Sequence, residues 1–171
     1  MLVGTHAILR AIEPSDLEQL RHWRNDPALR RNFREYREIS SADQLRWYDS
    51  VGIDNPSSRM FAITDLAGTL LGACGLCYID WMRRSADFSI YLGGCYLDDA
   101  VAPSAARTLS EYAFRELGLH RLWAEVYEFD QLKSAFLTAT GFCLDGTLRD
   151  AHFCDGRWWN SLMFSKIITT I

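Results

Sequence analysis

The chain has no apolar run near the roughly 18 residues that a membrane-spanning helix needs. The opening residues, Met1-Leu2-Val3-Gly4-Thr5-His6, lack the basic stretch and apolar core of a secretory signal. The expectation is therefore a cytoplasmic protein with no membrane partner. Four prolines and eleven glycines are too few for a linker-rich chain, and no repeat or low-complexity tract interrupts it. Five cysteines, odd in number and scattered, fit a reducing compartment rather than a disulfide framework. Basic residues show no excess: 18 Lys and Arg face 22 Asp and Glu, for a net charge of −4. This balance argues against nucleic acid as a partner. An apolar share of 49% with 23% charged residues excludes a disordered, collagen-like or rod-like chain. At 171 residues the expectation is one domain, residues 1–171.

Several chemistries lack their motifs. The four histidines, at positions 6, 22, 120 and 152, have no ligand spacing, and there is no G-x-S-x-G elbow. Neither a G-x-x-x-x-G-K-S/T phosphate loop nor a dinucleotide G-x-G-x-x-G occurs. Cys74-Gly75-Leu76-Cys77 is a single C-x-x-C inside a strand-like run, where residues three apart point to opposite faces. These cysteines read as structural, and no metal is implied.

The patterns that are present alternate between sheet and helix. Residues 7–12 read as a strand. Ser15 and Glu18 form a capping-box pattern for a helix that Pro27 stops near Asn25-Asp26. Ser40 or Ser41 caps a helix carrying Leu45, Trp47, Tyr48 and Val51. Residues 60–64 and 69–78 read as a hairpin around Asp65-Leu66-Ala67-Gly68, followed by a strand over residues 85–92. A helix is expected over 103–117, a strand over 121–129 and a short helix over 131–140. Two closing strands turn at Asp155-Gly156. The fold class is α+β (mixed α/β), with one largely antiparallel sheet and a βαβ unit in the second half.

Two features bear on ligands. Arg21, Arg24, Arg30, Arg31, Arg34 and Arg37 crowd one stretch, either as a solvated helical face or as a rim that attracts an anionic substrate. Trp23, Trp47 and Trp123 fall inside regular elements, which suits core positions. Trp81 closes a strand beside Arg83 and Arg84, where it suits either edge packing or stacking on a ligand. Of the adjacent Trp158 and Trp159 only one can face the core.

A set of ordered segments resembles the GNAT superfamily of acyl-CoA-dependent N-acetyltransferases over nearly the whole length. They are Leu9-Arg10-Ala11-Ile12 with Asp16-Leu17, then Trp23-Arg24-Asn25 and Phe88-Ser89-Ile90-Tyr91-Leu92-Gly93. Residues 112–122, Glu125-Val126-Tyr127-Glu128-Phe129 and Gly141-Phe142-Cys143-Leu144-Asp145-Gly146 complete the set. Two branches are similar: the ribosomal-protein N-terminal acetyltransferases, and the pseudaminic-acid-pathway enzymes that acetylate a nucleotide-linked amino sugar. Ile39, Gln44-Leu45-Arg46-Trp47, Ile79-Asp80-Trp81 and residues 84–88 lean toward the sugar branch.

The resemblance implies a twisted sheet of about seven strands with about four helices, its central strands splayed into a cleft for acetyl-CoA. The donor's pantetheine arm would run along the backbone of Ile90, Tyr91 and Leu92, with its pyrophosphate over the N-terminus of the following helix. An amine would attack the thioester, and a tyrosine often protonates the leaving thiolate. The acceptor would be a small-molecule amine, a nucleotide sugar with Arg34, Trp47 and Trp81 lining its pocket, or a protein N-terminus. An exposed strand edge or exchange of the last strand would allow a homodimer.

The working parts depart from the family. Its basic, glycine-rich phosphate loop aligns with Leu97, Asp98, Asp99, Ala100, Val101 and Ala102, placing two carboxylates where an anion should bind. The usual asparagine aligns with Asp130 and a serine with Lys133, beside Ser134, while the proton-donating tyrosine aligns with Leu137. In a working enzyme Arg107 or Lys133 would restore positive charge, and Ser134, Tyr127 or water would serve as the acid. The alternative is a GNAT-fold module that has lost acetyl-CoA and binds a partner or an anionic ligand.

Overall fold

The structure is a computed structural model and describes residues 1–94 and 100–168. Eight strands form a single sheet: β1 (Leu2–Val3), β2 (Ile8–Arg10), β3 (Arg59–Thr64), β4 (Leu70–Asp80), β5 (Ser85–Leu92), β6 (Arg121–Tyr127), β7 (Cys143–Cys154) and β8 (Arg157–Ile167). Their spatial order is β1-β2-β3-β4-β5-β6-β8-β7. Every pairing is antiparallel except β5 with β6. The helices are α1 (Leu17–Asn25), α2 (Pro27–Arg30), α3 (Ser41–Ser50), α4 (Val101–Glu111) and α5 (Gln131–Ala139). The β5-α4-β6 crossover is the expected βαβ unit. Among the described residues, the eight strands and five α-helices exceed the expected seven or so and four or so by the short β1 and the one-turn α2. Neither is long enough to carry a periodic hydrophobic signal.

Local chemistry places the elements. Ser40 accepts from the Asp43 amide while the Asp43 carboxylate accepts from the Ser40 amide, closing a capping box at α3. At α1 the expected Ser15–Glu18 box does not form. Pro14 opens a 3-10 turn, and Asp16 accepts from the Glu13 amide and from Arg10, at 2.7 Å from Nη1. Glu18 pairs with Arg21 instead, while Arg10 of β2 holds Asp16 in the capping position. α4 begins two residues before the expected position, and its last turn widens into a π segment, Tyr112–Glu116. At the β7–β8 turn Asp155 and Gly156 have φ of 52° and 76°, the two positive values that a type I′ hairpin turn needs.

The two faces of the sheet have separate cores. Along β5, Ala86, Phe88, Ile90 and Leu92 point to the side covered by α4 and α5, with Leu109, Ala113, Phe136 and Leu137. Tyr91 points to the opposite side, against Leu20 of α1 and Ala73 of β4, with Trp23, Phe33 and Trp47 packed around them. The period of two along a strand therefore aims Asp87, Ser89 and Tyr91 at the α1–α3 face. Trp23 lies so closely over Gly93 that a Cβ there would overlap its indole.

Candidate active site

The parallel ladder between β5 and β6 is short. It covers Ser85–Arg121, Ala86–Leu122 and Asp87–Trp123, and then stops. β5 runs on to Leu92 fully paired with β4, and β6 runs on to Tyr127 fully paired with β8. Each strand follows its own outer neighbour, so the two diverge and leave a wedge between residues 88–92 and 124–127. Backbone polar groups along such a wedge seek partners that the sheet does not supply.

Arg34 closes the base of the wedge. Its Nη1 donates to Asp87 Oδ2 at 2.6 Å and its Nε to Glu125 Oε2 at 3.1 Å, bridging the two strands where their ladder ends. The guanidinium also lies 5.4 Å from the Trp123 ring. Asp87 is buried, which raises its carboxyl above the usual range while Arg34 pulls it back down. Arg34 is thus a strand clamp and does not line the larger pocket, contrary to the sequence expectation. Two carboxylates in reach engage it in preference to a ligand.

Two cavities flank β5. The smaller, about 170 Å3, is lined by Leu29, Asn32, Phe33, Ile90, Tyr91, Leu92, Asp130 and Lys133 among others. Asp130 caps α5 through the Lys133 amide, at 3.0 Å. The Lys133 ammonium is pushed below the ordinary lysine range by burial, with Asp130 and Asp87 opposing that shift and Arg34 and Arg24 adding to it. The larger cavity, about 460 Å3, lies on the α1–α3 face between Arg24, Glu35, Arg37, Trp47, Cys77, Ser89 and Tyr91.

The structure brings together Ile90, Tyr91, Leu92, Asp130 and Lys133 at the smaller cavity, and places Trp47 in the larger. Trp81 lies elsewhere, at the β4–β5 turn, where its indole N–H donates to Pro56 O at 2.9 Å and pins the preceding loop. That contact fits the edge-packing reading of the residue. Ser134 Oγ donates to Asp130 O at 3.1 Å, a bond within α5. Tyr127 stacks flat on His152 with ring centroids 3.6 Å apart, and burial pushes its hydroxyl pKa up. Leu137 is fully buried in the core. Ala100 is the N-cap of α4, and Val101 and Ala102 form its first turn. Leu97, Asp98 and Asp99 lie outside the described residues. Trp158 is exposed, while Trp159 packs edge-on against Phe129. Sequence reasoning missed Asp87 and Glu125, whose only signal was a charge recurring in step with an inward-facing position of a strand.

A family model, "Acetyltransferase (GNAT) domain", matches residues 9–163. The spermidine N(1)-acetyltransferase of Vibrio cholerae is 26% identical over 159 residues, covering 91% of this chain and 90% of that protein. A Bacillus subtilis protein provisionally named ribosomal N-acetyltransferase YdaF is 27% identical, covering 96% and 93%. The crystal structure of the Vibrio cholerae spermidine N-acetyltransferase in complex with CoA and spermine superposes with a TM-score of 0.85 at 23% identity, covering 94% and 95%, and shares the fold. The chain belongs to the GNAT acetyltransferase family. It is an N-acetyltransferase, and the acyl donor of that family is acetyl-CoA.

Proposed function

We propose that the chain transfers an acetyl group from acetyl-CoA to a primary amine, with the donor in the β5–β6 wedge and the acceptor in the larger cavity. The observation that carries this reading is the ladder that ends at Asp87–Trp123 while both strands continue. The open backbone of Ile90, Tyr91 and Leu92 can pair with the amides of a pantetheine arm as another strand would. The first turn of α4, at Ala100, Val101 and Ala102, follows β5 in the position that favours a diphosphate.

The chemistry follows from the groups around the wedge. The amine nitrogen attacks the thioester carbonyl carbon, forming the C–N bond as the C–S bond breaks. Glu125, on the acceptor face and held by Arg34, accepts the proton released from nitrogen. Lys133, in the first turn of α5, donates hydrogen bonds to the carbonyl oxygen and a proton to the departing thiolate. A lysine held below its ordinary pKa gives up a proton more readily than one in water. Ser134 is bonded into its helix and Tyr127 into an aromatic stack, so both rank behind Lys133 as the acid. The products are an N-acetylated amine and CoA.

A nucleotide-linked amino sugar, as the sequence suggests, and spermidine, the substrate in the name of the Vibrio cholerae relative, are both primary amines. The test is calorimetric titration of acetyl-CoA, followed by thiol-release assays with spermidine, a nucleotide-linked amino sugar and a peptide with a free N-terminus. Saturable binding and turnover of one amine are expected. Absence of heat at millimolar acetyl-CoA overturns the reading and favours the binding-module alternative.

A further inference from the structure

The larger cavity is lined by an arginine that the fold leaves without a salt bridge among the described residues. Arg24, near the end of α1, lines it, and the guanidinium lies over the Phe33 ring at 4.0 Å. Its Nε is enclosed and has no hydrogen-bond partner, and no carboxylate among the described residues forms an ion pair with it. The other charged residues of the cavity are already committed or exposed. Both Glu35 oxygens accept from Arg37, at 2.8 Å from Nε and 2.5 Å from Nη2. Asp43 accepts from Ser40 and Arg46. Glu38 also lines the cavity and is exposed.

A desolvated guanidinium with an unpartnered donor is costly, and a planar fork of donors matches carboxylate and phosphate oxygens. Burial also lowers the Arg24 pKa, with Tyr91 and Glu35 only partly opposing that shift. The cavity, about 460 Å3, falls in the size range of small-molecule sites. Arg24 also lies in the same cavity as Ser89 and Tyr91 of β5, beside the proposed reaction site.

We infer that Arg24 anchors an anionic group, carboxylate or phosphate, carried by the acceptor amine itself. The substrate class is therefore an acidic amine such as an amino acid or a phosphorylated amino sugar, and not a polyamine. This rests on the acetyltransferase reading given above.

The test observes the Arg24 Nε–H signal by NMR, assigned by its loss in Arg24→Lys, in protein saturated with CoA. Sodium phosphate and sodium acetate are titrated in separate arms at constant ionic strength, with chloride as reference. A saturable shift of this signal is expected, with the stronger arm showing whether phosphate or carboxylate is preferred. Arg24→Met should weaken that anion by at least about tenfold while CoA binding is retained, because one charge-assisted contact is worth about that much. An unmoved signal, or one that moves only when CoA is absent, overturns the inference. So does a screen in which spermidine is the preferred acceptor and Arg24→Met leaves its kcat/KM unchanged. Failure of the donor reading shows separately, as absence of CoA binding by calorimetry.

Discussion

Replacing Arg34 with methionine tests whether the base of the wedge is an electrostatic clamp. In the native protein Arg34 is 44% exposed at its side chain and Asp87 only 8%. Removing one partner of a fully buried ion pair costs about 3–5 kcal/mol, because the other charge is left buried and alone. The half-exposed arginine reduces this to about 2–3 kcal/mol, since solvent already screens part of the pair. In a domain of this size that corresponds to a fall in Tm of about 5–10 °C. The effect has a pH signature. Burial holds the Asp87 carboxyl above its usual range and Arg34 draws it down, so the variant's Asp87 titrates at a higher pH than the native one. The stability difference is full above the variant's value and disappears as pH falls below the native one, where both carboxyls are neutral. Urea denaturation at neutral and mildly acidic pH reads this directly. Asp87→Asn on the Arg34→Met background removes the stranded charge and restores most of the loss. An unchanged midpoint at neutral pH, or no rescue by the asparagine, refutes the clamp.

Lys133→Met should lower kcat by about a hundredfold, the effect of removing one donor aimed at developing charge, with CoA still bound. Because burial lowers the Lys133 pKa, the alkaline limb of kcat should fall below the ordinary lysine range and move upward in Lys133→Arg; a limb identical in both enzymes counts against this role. Gly93→Ala would drive a methyl into the Trp23 indole, and should cost about 1–3 kcal/mol in urea denaturation as other overpacked sites do. An unaltered midpoint would mean that Trp23 moves freely away.

Several elements were legible because their causes are local. The Ser40–Asp43 box, the Asp155-Gly156 turn and the alternating strand of β5 each depend on neighbours within a few residues. The α1 cap was misread because two boxes were available, and the choice went to Asp16 through Arg10 on the adjacent strand. β1 has two residues and α2 four, too few for any period. The site followed the same division. Ile90, Tyr91, Leu92, Asp130 and Lys133 line one cavity together because strand and helix order fixes which residues follow β5 and β6. Arg34 and Trp81 were misplaced because their partners, Asp87, Glu125 and Pro56, are 25 or more residues distant in sequence.

Hydrophobic period, turn chemistry and segment order determined the α+β class and the order of its main elements, since these act along the chain. Only the tertiary structure decided which arginines are spent. Arg34 and Arg37 meet carboxylates, while Arg24 reaches a cavity with no ion-pair partner among the described residues. In one dimension all six are equivalent positive charges. Folding separates them, because the energy of a charge depends on the counter-charge and the water within a few ångströms of it.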